Sequence, residues 1–238
     1  ALAWYNLTDC ELVTRIFEPD RILPRFLERQ RLSGVPLEKQ GFPAAVLDFL
    51  YLPLLHRAGY AAATANPQAG SLAGAPPPPV RAPVPGQYSG AAELAVPDFL
   101  PLVLETFFMD PRGRALAEAD AKGALQLPGT AVPFHRKRHL LPAILARLGE
   151  AGEAGSTLKA AVRQAIESPS SRFYSPSLAA CMKAAARLVC QEAVTFLEAH
   201  GLAVVDADGE SILVHSREGK RDAALHAALP AHERHLDN

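Results

Sequence analysis

The segment Asp206-Ala207-Asp208-Gly209-Glu210-Ser211 gathers three acidic side chains between two short β-prone runs, Leu202 to Val205 and Ile212 to His215. Carboxylates at a strand turn can hold a divalent cation, because magnesium is commonly bound through one or two carboxylates together with substrate oxygens. Asp208-Gly209 is also a hairpin-turn signal for backbone reasons alone. Taken by itself, the pattern reads as an ordinary exposed turn. A second constellation, His135 and His139, has the i, i+4 spacing of two metal ligands on one helix face. Arg136, Lys137 and Arg138 lie between them, and three cations would repel zinc, so a basic surface facing phosphates is the better reading.

The elements that must position these groups follow from apolar spacing. Leu12, Val13, Ile16 and Phe17, then Leu23, Phe26 and Leu27, recur at helical intervals, and Pro19 divides them into two helices. A further apolar stretch, Ala44 to Leu55, precedes a segment from Ala61 to Gly90 dominated by Ala, Gly and Pro, with consecutive prolines Pro76 to Pro79. That composition reads as a surface linker. Leu94 to Met109, punctuated by Pro97 and Pro101, suits a short strand running into a helix. Leu140 to Leu148 and Leu158 to Ile166 read as a helical hairpin about the turn Gly149 to Ser156, and a long helix from Leu178 to His200 stops at Gly201.

Bulk properties exclude several classes. A formal charge of −1 over 238 residues gives no general attraction to nucleic acid, so any such contact must be local, at Arg25, Arg29 and Arg31 or at Arg136 to Arg138. Cys10, Cys181 and Cys190 are odd in number and lack C-x-x-C pairing, which points away from a disulfide framework or zinc and fits a reducing cytoplasm. No apolar run reaches the roughly 20 residues that span a bilayer, so no membrane partner is expected. The first residue is Ala1, inside an expected helix, and the sequence reads as a fragment or a processed chain.

The order of short segments along the chain resembles the bacterial DNA polymerase II branch of the family-B DNA polymerases. Tyr5-Asn6-Leu7-Thr8-Asp9 is similar to the third exonuclease motif, Y-x-x-x-D. Leu50-Tyr51-Leu52-Pro53 and His56-Arg57-Ala58-Gly59-Tyr60 resemble the connector between exonuclease and palm. Pro85-Gly86-x-Tyr88 and Glu105 to Pro111 flank a stretch that aligns with D-Y-x-S-L-Y-P-S-I-I. There Ala95 stands at the metal-binding Asp and Leu100 at the Tyr under the incoming sugar. His135 to Pro142 resembles R-E-K-H-x-L-P of the fingers, and Arg163 falls where a triphosphate-binding Lys is expected. The N-x-x-Y-G segment is missing before Arg172-Phe173-Tyr174-Ser175-Pro176. The acidic hairpin resembles Y-G-D-T-D-S, with Asp208 and Glu210 at the two Asp positions and Asp206 at the Tyr.

The resemblance implies an α+β fold, with an antiparallel palm sheet and packed helices, shortened helical fingers and a helical remnant of the exonuclease domain. It divides the chain at 1–33 (end of the exonuclease domain), 34–90 (connector helix and linker), 91–133 (first part of the palm), 134–177 (fingers) and 178–238 (second part of the palm). It implies Asp208 and Glu210 as a degenerate catalytic and metal site, Tyr5 and Asp9 as an exonuclease remnant, Arg163 for nucleotide, and Arg136, Lys137 and Arg138 for DNA. Magnesium is the family's cofactor, held here weakly or not at all. The implied partners are primer-template DNA, bound weakly, and another polymerase or replication protein. The expected role is a scaffold or DNA-binding segment without nucleotidyl transfer. The alternatives are an active polymerase whose site is compensated, with Asp98 as the candidate ligand, and a helical scaffold unrelated to polymerases.

Overall fold

In the computed structural model, residues 2–18, 22–64, 79–88, 90–128, 130 and 132–216 are described. Most of the expected linker, including Pro76 to Pro78, and residues 217–238 lie outside them. The helices are α1 (Leu2–Phe17), α2 (Ile22–Ser33), α3 (Pro43–Arg57), α4 (Phe99–Thr106), α5 (Pro111–Ala119), α6 (Leu141–Gly149), α7 (Gly152–Glu167) and α8 (Pro176–Ala199). The strands are β1 (Ala91–Ala95), β2 (Ala124–Leu125), β3 (Phe134–His135), β4 (Leu202–Ala207) and β5 (Ser211–Ser216).

Two hydrophobic clusters organise these elements, and α8 is common to both. The larger unites α3, α4, α6 and α7 with the first half of α8, through residues such as Leu47, Leu104, Leu145, Val162 and Met182. The smaller lies between the second half of α8 (Cys190, Val194, Leu197) and a sheet of order β1-β5-β4. Leu178, Met182, Ala185, Cys190, Val194 and Leu197 recur close to every 3.6 residues, so one continuous stripe of α8 faces both cores. The helix starts at Ser175, whose hydroxyl accepts the Leu178 N–H, with Pro176 in the first turn. It stops at Gly201, which has a φ of +82°.

The expected helical hairpin forms, with one correction. Its turn is Glu150-Ala151, and Gly155 and Ser156 already belong to α7. Gly155 looks like a turn residue in sequence but serves close packing instead. A β-carbon there would lie 1.8 Å from the Leu148 carbonyl oxygen, so only glycine lets α7 start this close to the end of α6. The two helices, expected as shortened fingers, are built into the larger core. Leu141, Ile144, Leu145, Leu148, Leu158, Val162 and Ile166 give them apolar faces that have to be covered.

The helix α4 ends in a Schellman motif: the Phe108 N–H donates to Glu105 and the Met109 N–H to Leu104, with Phe108 left-handed at φ +55°. A phenylalanine there costs on the order of 1–2 kcal/mol. Its ring stacks on His139, with centroids 5.0 Å apart. The turn delivers Asp110, fully buried, to the start of α5. One carboxylate oxygen accepts the Gly113 N–H at 2.6 Å; the other accepts the Tyr51 hydroxyl at 2.9 Å and the N–H groups of Leu140 and Leu141 at 3.1 and 2.8 Å. Tyr51 in turn accepts the Arg112 N–H at 3.1 Å. Burial, and then the adjacent Asp110 charge, push the Tyr51 phenol far above its ordinary pKa, so it remains a donor.

A strap completes the smaller unit. Arg81 exchanges both backbone hydrogen bonds with Ala207, the Val84 N–H donates to Val205, and the Arg81 side chain pairs with Glu198 of α8. The edge of β4 is therefore covered by 81–84, while Pro83 and Pro85 have no N–H to offer beyond it.

Replacing Asp110 with Ala strands a buried hydroxyl and three N–H groups and should cost about 3–5 kcal/mol, whereas Tyr51→Phe should cost about 1–2 kcal/mol. Urea unfolding followed by circular dichroism measures both. Equal, small effects would show that Asp110 is not the joint between these helices.

Candidate functional site

The acidic segment forms the tip of the β4–β5 hairpin. The strands pair antiparallel with Asp206 opposite Leu213 and Ala207 opposite Ile212, and a bulge lies between Val204 and Asp206. At the tip the Asp208 N–H donates to the Ser211 carbonyl at 3.3 Å, and Gly209 adopts φ +110°. One oxygen of the Asp208 carboxylate accepts the N–H groups of Glu210 and Ser211, each at 2.8 Å. These two donors hold the Asp208 carboxyl below its usual range. The arrangement is an Asx turn, in which the side chain takes over a hydrogen bond of the backbone.

The strand β1 lies beside β5 with Ala95 opposite Ser211. The position across the sheet from the acidic tip thus carries a methyl group. Beneath the tip, the buried Cys190 of α8 receives the Gly209 N–H, while burial pushes its thiol pKa up. The sequence alone marks Cys190 only as an unpaired cysteine and does not indicate this contact. Its helical phase with Val194 and Leu197 was the available signal.

Asp98 is turned away from the hairpin. It is left-handed at φ +54°, precedes α4, accepts the Ser156 hydroxyl at 2.8 Å and lies 3.8 Å from Lys159 Nζ of α7. Arg163 pairs with Glu167 one turn along α7 at 3.2 Å, and Glu167 also meets Lys183 at 3.1 Å. Tyr5 and Asp9 lie one turn apart on α1, a helix with no buried residue. Among the described residues, no three His, Cys, Asp or Glu side chains converge as a metal site. The donors at the hairpin do not fit a magnesium pair. Asp208 has one oxygen committed to the turn, Ala95 supplies none, and Glu210 projects from an exposed turn.

The basic segment departs from the helical spacing suggested by His135 and His139. His135 ends β3, residues 136–138 bend, and α6 begins only at Leu141, so the histidines do not share a helix face. His135 is buried and His139 stacks on Phe108. Arg136, Lys137 and Arg138 are all exposed, and no ion pair is seen for them among the described residues. The backbone beneath them is fixed by the Gly123 carbonyl and by His135. The structure therefore brings the three cations together as an exposed cluster and keeps Arg163 apart from them on α7.

No helix among the described residues is long and apolar enough to cross a membrane. No protein-family model matches the chain. Over 235 aligned residues it is 31% identical to DNA polymerase II of Escherichia coli (strain K12), a match that covers 90% of this chain and 29% of that polymerase. Among solved structures, the family B DNA polymerase from the hyperthermophilic archaeon Pyrobaculum calidifontis matches with a TM-score of 0.63 at 17% identity, over 90% of this chain and 32% of that one, a likeness of fold. The chain is thus similar in sequence to DNA polymerase II and in fold to a family B DNA polymerase along nine tenths of its own length, and it spans less than a third of each.

Proposed function

We propose that this chain is a polymerase-derived scaffold that touches DNA phosphates through Arg136, Lys137 and Arg138 and does not carry out nucleotidyl transfer. In this reading 91–133 and 178–216 correspond to the palm, 134–177 to shortened fingers, 34–90 to the connector, and 1–33 to the end of an exonuclease domain. The observation that carries it is the hairpin tip. Phosphoryl transfer by two metals requires carboxylates from separate strands to hold the ions about 3.5–4 Å apart. Here the facing position is Ala95, and Asp208 spends one oxygen on its own turn. Asp98, the candidate substitute, is engaged with Ser156 and Lys159. Tyr5, Asp9 and Arg163 are read as remnants of exonuclease and nucleotide sites.

DNA contact in this reading is local and independent of sequence. Exposed cations exchange condensed counterions for phosphates, so affinity falls steeply with salt and carries no base information. Primer-template DNA is the proposed partner, and a polymerase or other replication protein would supply the chemistry that the chain lacks.

With magnesium and all four deoxynucleotides, the chain should extend no primer above a no-protein control, and Ala95→Asp alone should not restore extension. Clear incorporation by the parent protein would favour the compensated-site alternative, and recovery by Ala95→Asp alone would show that the missing fingers segment is not needed. Replacing Arg136, Lys137 and Arg138 together by Gln should lower the slope of log affinity against log salt by up to about 3 × 0.9. An unchanged slope would place the contact elsewhere. If Asp208 serves the turn, Asp208→Asn should cost less than Asp208→Ala at neutral pH, because the amide oxygen still accepts both N–H groups but without the charge that strengthens them. Asp208→Ala should cost about 1 kcal/mol. The folded-state pKa of Asp208 lies below its unfolded value, so the carboxylate's contribution is complete above the unfolded value and disappears as pH falls through the folded one. Equal losses in the Asn and Ala variants would show that the charge itself is what matters at the tip.

A further inference from the structure

We infer that His135 is the positioning residue of the basic loop, its uncharged imidazole fixing the backbone so that Arg136, Lys137 and Arg138 all face solvent and can meet phosphates together. This rests on the reading of the loop as a phosphate contact. His135 is 4% exposed, and its Nδ1 lies 3.1 Å from the backbone nitrogens of both Lys137 and Arg138. A ring nitrogen that accepts hydrogen bonds carries no proton, so the proton sits on Nε2. Nε2 has no hydrogen-bond partner, and the Asp120 carboxylate lies 3.5 Å from it. The ring is seated against Gly123, where a β-carbon would fall 2.4 Å from Nε2. The Gly123 carbonyl accepts the Arg136 N–H at 3.0 Å.

Three successive N–H groups are thus consumed beneath the loop, and those of Leu140 and Leu141 are consumed by Asp110. Affinity for an anion must then come from the three side chains. The geometry is that of an Asx turn, with a side-chain acceptor at one residue serving the N–H groups two and three positions later. The choice of acceptor has an electrostatic consequence. An aspartate would accept both bonds equally well, but it would place a negative charge under three cations and oppose their attraction to phosphate. The imidazole accepts without that charge.

The test uses the whole chain and a short DNA duplex, with binding followed by fluorescence anisotropy and loop order by amide hydrogen exchange at Lys137 and Arg138. In the parent protein, imidazole nitrogen spectra should show the proton on Nε2. His135→Asn places an amide oxygen near the Nδ1 position and should keep both amide protection and affinity within about twofold. His135→Asp should keep protection and weaken binding several-fold. His135→Leu should speed exchange about tenfold and weaken binding about fivefold, on the scale of one or two lost hydrogen bonds. Gly123→Ala, which displaces the ring without changing any charge, should match His135→Leu; urea midpoints identify any variant that simply unfolds.

A proton found on Nδ1 in the parent, or unchanged amide protection in both His135→Leu and Gly123→Ala, would overturn the inference. Binding that depends on the three cations but is indifferent to His135 would also overturn it, leaving the phosphate reading intact. Failure of the parent protein to bind the duplex would overturn the phosphate reading, and the amide and nitrogen spectra would still decide whether His135 pins the loop.

Discussion

A single buried carboxylate sets the geometry of the larger core. Asp110 accepts donors from three separate helices or their starts: the Tyr51 hydroxyl of α3, the Gly113 N–H of α5 and the N–H groups that lead into α6. A buried charge without a cation is tolerated when hydrogen bonds replace its lost hydration, and four are present here. Moving any one of these helices would leave part of that charge unsatisfied. The same carboxylate fixes the far end of the loop that carries Arg136 to Arg138, so the exposed cations are suspended between two buried side chains, Asp110 and His135.

The two cores are joined by continuity of one helix. The first half of α8 packs with α3, α4, α6 and α7, and the second half packs under the sheet. The connection that feeds α8 is short and heavily anchored. Arg172 Nε lies 3.0 Å from both carboxylate oxygens of Asp48, and the Phe173 ring meets Tyr51 edge-on at 4.7 Å. The segment between α7 and α8 is therefore closed tightly against α3. Position and orientation of the hairpin follow from α8, because Cys190 meets Gly209 from below.

Local signals in the sequence suffice where one element is decided by its own residues. Gly201 ended α8, Asp208-Gly209 turned the hairpin, and Pro97 separated a strand from a helix. The signals misled where a residue type had two physical uses. Gly155 suggested a turn but permits a close approach, and His135 with His139 suggested a helix face but one ends a strand and the other stacks on Phe108. What could not be read at all was long-range pairing. Nothing near Tyr51 indicates that its hydroxyl meets a carboxylate 59 positions away, and nothing near Arg81 indicates that it pairs with Ala207. The candidate site was legible as a list of residues, while the commitment of Asp208 to its own turn depends on backbone geometry that side-chain types do not reveal.

The strap over β4 gives the small sheet a direction. Its β4 side is bordered by 81–84, whereas β1 has no strand on its outer side among the described residues. Among the described residues, the edge of this sheet without any pairing is that of β1. Two copies meeting there would use up both open edges at once, so pairing through the sheet ends at two molecules and cannot propagate into a fibre.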